Sequence, residues 1–289
     1  MSTGLLIALP LAVLGALAAP LAVGVVLGVD RRVTASMQAR IGPPVLQPLY
    51  DLTKLAGKLS QPPDRLAAGL LVAQACLAAG GLAIVLAGGD LIVAVLVVGA
   101  AQVCFIMAAA AVESPYAQLG VSREVVMLVA GEPLLLLVAV AYGVVSPSTA
   151  AADVAAAPPA VLSMPTLGIT LGVLLAITLR KSPFDLATSH HAHQELVKGS
   201  TTEMAGPWLA LADLGHWYET ALVLALIVLS AARAPILAAA LVLGTYLVVV
   251  VVDNTVPRAT WRAALGVAWG LGGAAAVIAL ITAHLTGAG

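Results

Sequence analysis

LIVAVLVVGAAQVCFIMAAAAV, residues 91–112, runs for twenty-two residues without a charge. The hydrocarbon core of a bilayer is about 30 Å thick, a distance that roughly 20 helical residues cross, so this run reads as a transmembrane helix. Working outward from it, apolar runs recur at 4–28, 66–87, 123–145, 165–179, 207–230, 235–252 and 263–284. The run at 165–179 is the short one. Breaks separate them: GGD at 88–90, SPS at 146–148, PP at 158–159, and Pro207 and Pro235 where helices begin. The reading is an all-α membrane protein of about eight transmembrane helices in a single integral membrane domain, residues 1–289. The first run has no basic segment before it and outlasts a signal-peptide core, which predicts a retained span. Abundant Ala and Gly predict closely packed helices.

Composition agrees. Of 289 residues, 61% are hydrophobic and 9% charged, and the mean hydropathy is +1.07, so lipid must cover most of the surface. A net charge of −1 offers nothing to nucleic acid. Cys76 and Cys104 stand singly in apolar runs, which gives neither a disulfide framework nor a thiolate metal site, and no iron–sulfur cluster of the chain's own.

Orientation follows from the basic residues. Arg31, Arg32, Arg40, Lys54, Lys58 and Arg65 follow the first span, Arg123 the third, Arg180, Lys181 and Lys198 the fifth, and Arg258 and Arg262 the seventh. The opposite side has Arg233. By the positive-inside rule the four basic connections face the cytoplasm and both termini lie outside.

Two cytoplasmic loops are long, 30–65 and 180–206. In the first, Leu49, Leu52, Leu55 and Leu59 recur at helical spacing with Asp51, Lys54 and Lys58 between them, which predicts an amphipathic helix over Pro48–Ser60 on the membrane surface. The second contains SHHAHQELVKG, residues 189–199, and is too long and polar for a simple connector. His190, His191 and His193 invite a metal reading, but their spacing matches no common zinc pattern and adjacent histidines diverge on a helix. Hydrogen bonding at a protein interface, or proton handling near neutral pH, fits them better.

Ionisable groups inside spans are costly and mark function. Glu132 lies nine residues beyond Arg123, about 13 Å along a helix, and Pro133 loosens the backbone beside it. Glu124 sits near the cytoplasmic edge next to Arg123. In the sixth span Asp213, His216 and Glu219 fall three apart, on a face about 120° wide. That is the arrangement of a proton relay, and simple pairing, Arg123 with Glu124 or His216 with Asp213, is the alternative.

RIGPP at 40–44 with QPLYDLTKL after it, SREVVMLVAGEP at 122–133, KSPFDLATSHHAHQELVKG at 181–199 and TTEMAGPW at 201–208 together resemble the membrane subunit that joins the soluble arm to the membrane arm in complex I and in energy-converting, group 4 nickel-iron hydrogenases. The resemblance covers residues 31–262. The loop after PFDL carries Asp185, Glu195 and Glu203 as its acids, fewer than the complex I version has, and its SHHAHQELVKG wording is similar to the hydrogenase branch.

The resemblance implies a membrane-anchor subunit of a multisubunit hydrogenase, ferredoxin- or formate-linked, in the cell's inner (cytoplasmic) membrane. It implies no redox cofactor or metal in this chain, with the nickel-iron centre and iron–sulfur clusters in partner subunits. The hydrogenase large and small subunits would dock on the cytoplasmic face at Arg40, His190, His191, His193 and Lys198, and antiporter-like membrane subunits would flank the chain within the bilayer. Glu132, Asp213, His216 and Glu219 would form a buried proton path with Arg123, Glu124, Asp185, Glu195 and Glu203 at its cytoplasmic mouth. A quinone-site subunit of a complex I-type NADH dehydrogenase, or a scaffold that conducts no ions, is the alternative. A secondary transporter would show two related halves with broken helices, and none are apparent.

Overall fold

The computed structural model describes residues 3–61, 64–184, 199–257 and 259–285. Asp185, His190, His191, His193, Glu195, Lys198 and Arg258 lie outside the described residues.

The elements of the described residues are helices. Helix α1 spans Thr3–Met37, α2 Gln47–Ala56, α3 Arg65–Leu86, α4 Leu91–Ala110 and α5 Pro115–Val145. After α5 come the short α6 (Ala151–Ala156) and α7 (Ala160–Ser163), then α8 (Leu167–Thr178). Beyond a 3-10 turn at Gly199–Thr201 follow α9 (Pro207–Leu229), α10 (Pro235–Thr255), α11 (Trp261–Val267) and α12 (Ala274–Leu285). A π turn, Ala268–Gly273, joins the last two into one rod. Helix starts obey the local chemistry: Asp64, Asp90 and Thr260 accept from backbone N–H groups of Leu66, Val93 and Ala263, and proline opens α5, α9 and α10.

Among the described residues seven helices are long and apolar enough to cross a membrane. The fifth of the eight expected spans is α8, whose 12 residues reach only about 18 Å. Three expected boundaries shift. Helix α1 continues to Met37, so Asp30, Arg31 and Arg32 are helical and not loop residues; α5 starts at Pro115 and not at 123, which puts Arg123 and Glu124 inside it; and α2 ends at Ala56 and not at Ser60. Hydropathy marks where a helix is apolar, whereas its backbone continues until a cap or proline stops it.

Polar contacts tie the helices together at both ends of the bundle. At one end Lys181 meets Asp30 and Asp253, Gln38 bonds Asn254, and the Ser60 hydroxyl donates to the Ala205 carbonyl. At the other, Leu91 and Ala151 exchange backbone hydrogen bonds with Thr149 and Gly89, and Val161 N–H donates to Ser230. Arg233 belongs to this second end. Helix α2 turns its apolar face onto the bundle: Leu49 packs against Gly24 of α1 and, with Leu52, joins the cluster around Val23 and Trp217.

Three apolar clusters fill the interior. One joins α5, α8, α10 and the last rod, a second lies around Leu71, Phe105 and Leu209, and a third around Ala78, Leu82 and Tyr218. Thr170 of α8 donates to the Gly272 carbonyl at 2.8 Å, within the π turn, which satisfies a backbone group that the wider turn leaves available.

Candidate functional site

A polar layer crosses the bundle where α4, α5 and α9 meet the end of α8. Glu124 is buried, 5% exposed, two turns into α5. Arg180, just beyond α8, grips it with both guanidinium nitrogens: Nη1 donates to Oε1 at 2.7 Å and Nη2 to Oε2 at 3.3 Å. The Ser200 hydroxyl also donates to Glu124 Oε1, at 3.0 Å. Ser200 can come this close because Gly120 carries no side chain; a Cβ there would stand 2.1 Å from the Ser200 nitrogen. Arg180 and Ser200, far apart in sequence, are thereby tied to one carboxylate. Two bonds from a planar guanidinium and one from a hydroxyl offset much of the cost of burying the charge.

From Arg180 the layer continues inward. Nη2 lies 2.9 Å from His216 Nε2, and His216 Nδ1 lies 3.7 Å from Glu219 Oε2. The Gln102 amide donates to Glu219. Phe105 packs edge-on against the imidazole with ring centroids 4.6 Å apart, which fixes its plane. Glu132, one helical face along α5, reaches into the space that Gly99 of α4 leaves open, where a Cβ would be 2.7 Å from Oε2. Glu124, Glu132, Glu219, Gln102, Arg180 and Thr178 line one cavity, walled on its apolar side by Leu135, Leu174 and Ile177. Its free volume is about 40 Å³, room for a few water molecules among polar partners.

The sequence reading is rearranged here. Where the expectation named Arg123 with Glu124 and His216 with Asp213, the structure brings Arg180 to both Glu124 and His216. Adjacent helical residues diverge by 100°, so Glu124 faces the bundle and Arg123 its surface. Glu124 is a member of the buried layer, while Asp213 is half-buried and Glu203 and Arg40 are exposed. Arg180 and Gln102 were not singled out by sequence. Arg180 had a signal, a cation at the foot of a span; a lone glutamine in an apolar run was the signal for Gln102.

A second ionic group sits at the same end. Lys181 Nζ lies 2.8 Å from Asp30 on α1 and 2.8 Å from Asp253 on α10, and Asp253 also accepts from the Ser182 backbone N–H at 2.9 Å. Consecutive residues Arg180 and Lys181 thus anchor the start of the loop to four different helices. Among the described residues no group of three or more His, Cys, Asp or Glu side chains is placed to hold a metal ion.

Chemically, the layer presents three carboxylates and an imidazole in contact or around one small cavity, between the loop end and the middle of the bundle. Such a series can hand a proton from group to group if water fills the gaps.

Comparison with known proteins places this geometry. Residues 10–284 match the family model described as NADH dehydrogenase. Hydrogenase-4 component C of Escherichia coli is 28% identical over 204 residues, 65% of this chain and 64% of that protein. Formate hydrogenlyase subunit 4 of the same organism is 32% identical over 196 residues, 62% of this chain and 63% of that protein. The matched stretches therefore span just under two thirds of those relatives. In fold, the chain is similar to one from the membrane-bound sulfane sulfur reductase, an archaeal respiratory membrane complex: TM-score 0.80 at 20% identity, covering 94% of this chain and 98% of that one. With seven apolar helices of spanning length, the chain is a multi-pass membrane protein.

Proposed function

We propose a function from one premise: the chain belongs to the NADH dehydrogenase family. It serves as the membrane-anchor subunit of a multisubunit energy-converting nickel-iron hydrogenase, ferredoxin- or formate-linked, in the cell's inner membrane. Its task is to dock the peripheral hydrogenase module, which brings the nickel-iron centre and iron–sulfur clusters, and to couple that module to antiporter-like membrane subunits. The basic end faces the cytoplasm, and the loop 185–198 with Arg40 meets the module. The two relatives named as hydrogenase-4 and formate hydrogenlyase subunits support this branch.

One observation carries the coupling role. The polar chain Glu124–Arg180–His216–Glu219, with Glu132 across the same cavity, begins at the two ends of the docking loop and leads into the bundle. Packing alone does not require it, since burying ionisable groups is costly unless they are used or fully paired. The layer is read as a proton and coupling path, with Asp213 toward its α9 entry.

Glu132→Gln and Glu219→Gln test it, because Gln keeps size and hydrogen bonding but cannot titrate. Both variants should assemble and retain hydrogen chemistry with an artificial electron donor, and lose at least tenfold in ion translocation. Unchanged translocation in both would leave the chain as an anchor. The family name favours a second reading, a quinone-site subunit of an NADH dehydrogenase. Metal and quinone analysis of the native complex separates the two: nickel without quinone selects the hydrogenase, quinone without nickel the alternative.

A further inference from the structure

Gln74, on α3, is fully buried at 0% exposure, yet neither its amide oxygen nor its amide nitrogen has a hydrogen-bond partner among the described residues. The side chain lies in a recess made by Gly215 of α9, where a Cβ would stand 2.3 Å from Nε2. Gly215 is the residue before His216. Leu71 and Ala78, about one turn to either side of Gln74 on α3, belong to apolar clusters that also hold Phe105 with Ala212 and Ala101 with Tyr218. Phe105 is also the ring that fixes His216, so the amide sits at the level where Gln102, His216 and Glu219 cross the bundle.

A buried amide with no partner is costly, and an apolar side chain of the same length would fill this seam without that cost. Two unpaired atoms on one side chain, beside a glycine that admits them, mark a place for a small polar ligand. Water is that ligand: it both donates and accepts, and it needs two to four polar partners.

We propose that Gln74 holds a water molecule at the α3–α9 seam and so extends the buried polar chain past Gln102 and Glu219 toward α1 and α2. The amide keeps its own protons; it orients the water, which passes a proton along its hydrogen bonds. The inference rests on the coupling path above.

The test begins with a cryo-electron microscopy map of the assembled complex in lipid, at a resolution that shows ordered water. Density within hydrogen-bond distance of the Gln74 amide is expected, and dry packing there overturns the proposal. Gln74→Met, apolar and of similar length, should assemble, lose that water, retain hydrogen chemistry with an artificial donor and drop at least tenfold in ion translocation. Translocation equal to the parent overturns it. Glu219→Gln runs alongside: if that variant loses translocation and Gln74→Met keeps it, the Gln74 inference alone fails, and if both keep it the path fails as well. Where Gln74→Met does not assemble, the parent map decides, water at the amide sustaining the proposal and its absence overturning it.

Discussion

Arg180→Met removes the cation between Glu124 and His216 while keeping a side chain of similar reach. At 2.7 Å, a unit pair in an effective dielectric of 20 attracts by about 6 kcal/mol. Desolvation of both ions offsets much of that, for the side chains are only 19% and 6% exposed. The net worth of the pair is therefore small, but the cost of breaking it from one side is not. Among the described residues Glu124 would keep the Ser200 hydroxyl as its partner, and stranding a buried charge costs about 3–5 kcal/mol. Arg180→Met should thus lower the thermal unfolding midpoint of the purified complex markedly. Arg180→Met with Glu124→Gln, which leaves no charge behind, should recover most of the loss. Stability is read by size-exclusion recovery after heating, and coupling by ion translocation in proteoliposomes. The double variant should be stable yet uncoupled. A single Arg180→Met variant as stable as the parent, or a double variant no better than the single one, would refute the reasoning.

Lys181→Met leaves Asp30 and Asp253 facing one another without their shared ammonium and should destabilise by a similar 3–5 kcal/mol; adding Asp30→Asn and Asp253→Asn should restore heat resistance, and failure to do so would count against the triad. For topology, in a chain with Cys76 and Cys104 replaced, a cysteine at Gln61 should resist a membrane-impermeant thiol reagent in intact cells and one at Ala156 should react; the reverse pattern would invert the orientation. At the far end, the Thr149 hydroxyl and the Val93 N–H hold the Asp90 carboxyl below the usual carboxylate range. Its folded-state value is depressed, so its stabilising contribution is present above about pH 4 and lost as pH falls through the lower folded value. Hydrogen exchange of the backbone at 88–93 and 149–152 should accelerate over that window in the parent, and Asp90→Asn should flatten the response.

Much of this protein was fixed by hydropathy acting alone. Bilayer thickness sets the length of a spanning helix, so the helical membrane class follows from residue order. Glu132, His216 and Glu219 stood out for a similar one-dimensional reason, because a charge inside an apolar run is conspicuous. Boundaries were less legible: α1 and α5 outrun their apolar stretches, since hydrogen bonding continues through charged residues such as Asp30 and Glu124. What the sequence could not determine was who meets whom. Glu124 pairs with Arg180, fifty-six residues away, and Lys181 bridges α1 to α10. Those choices depend on the rotation of each helix about its axis. That rotation is set by where glycines at 99, 120 and 215 let a neighbouring polar group approach, a property of facing surfaces that no single helix carries.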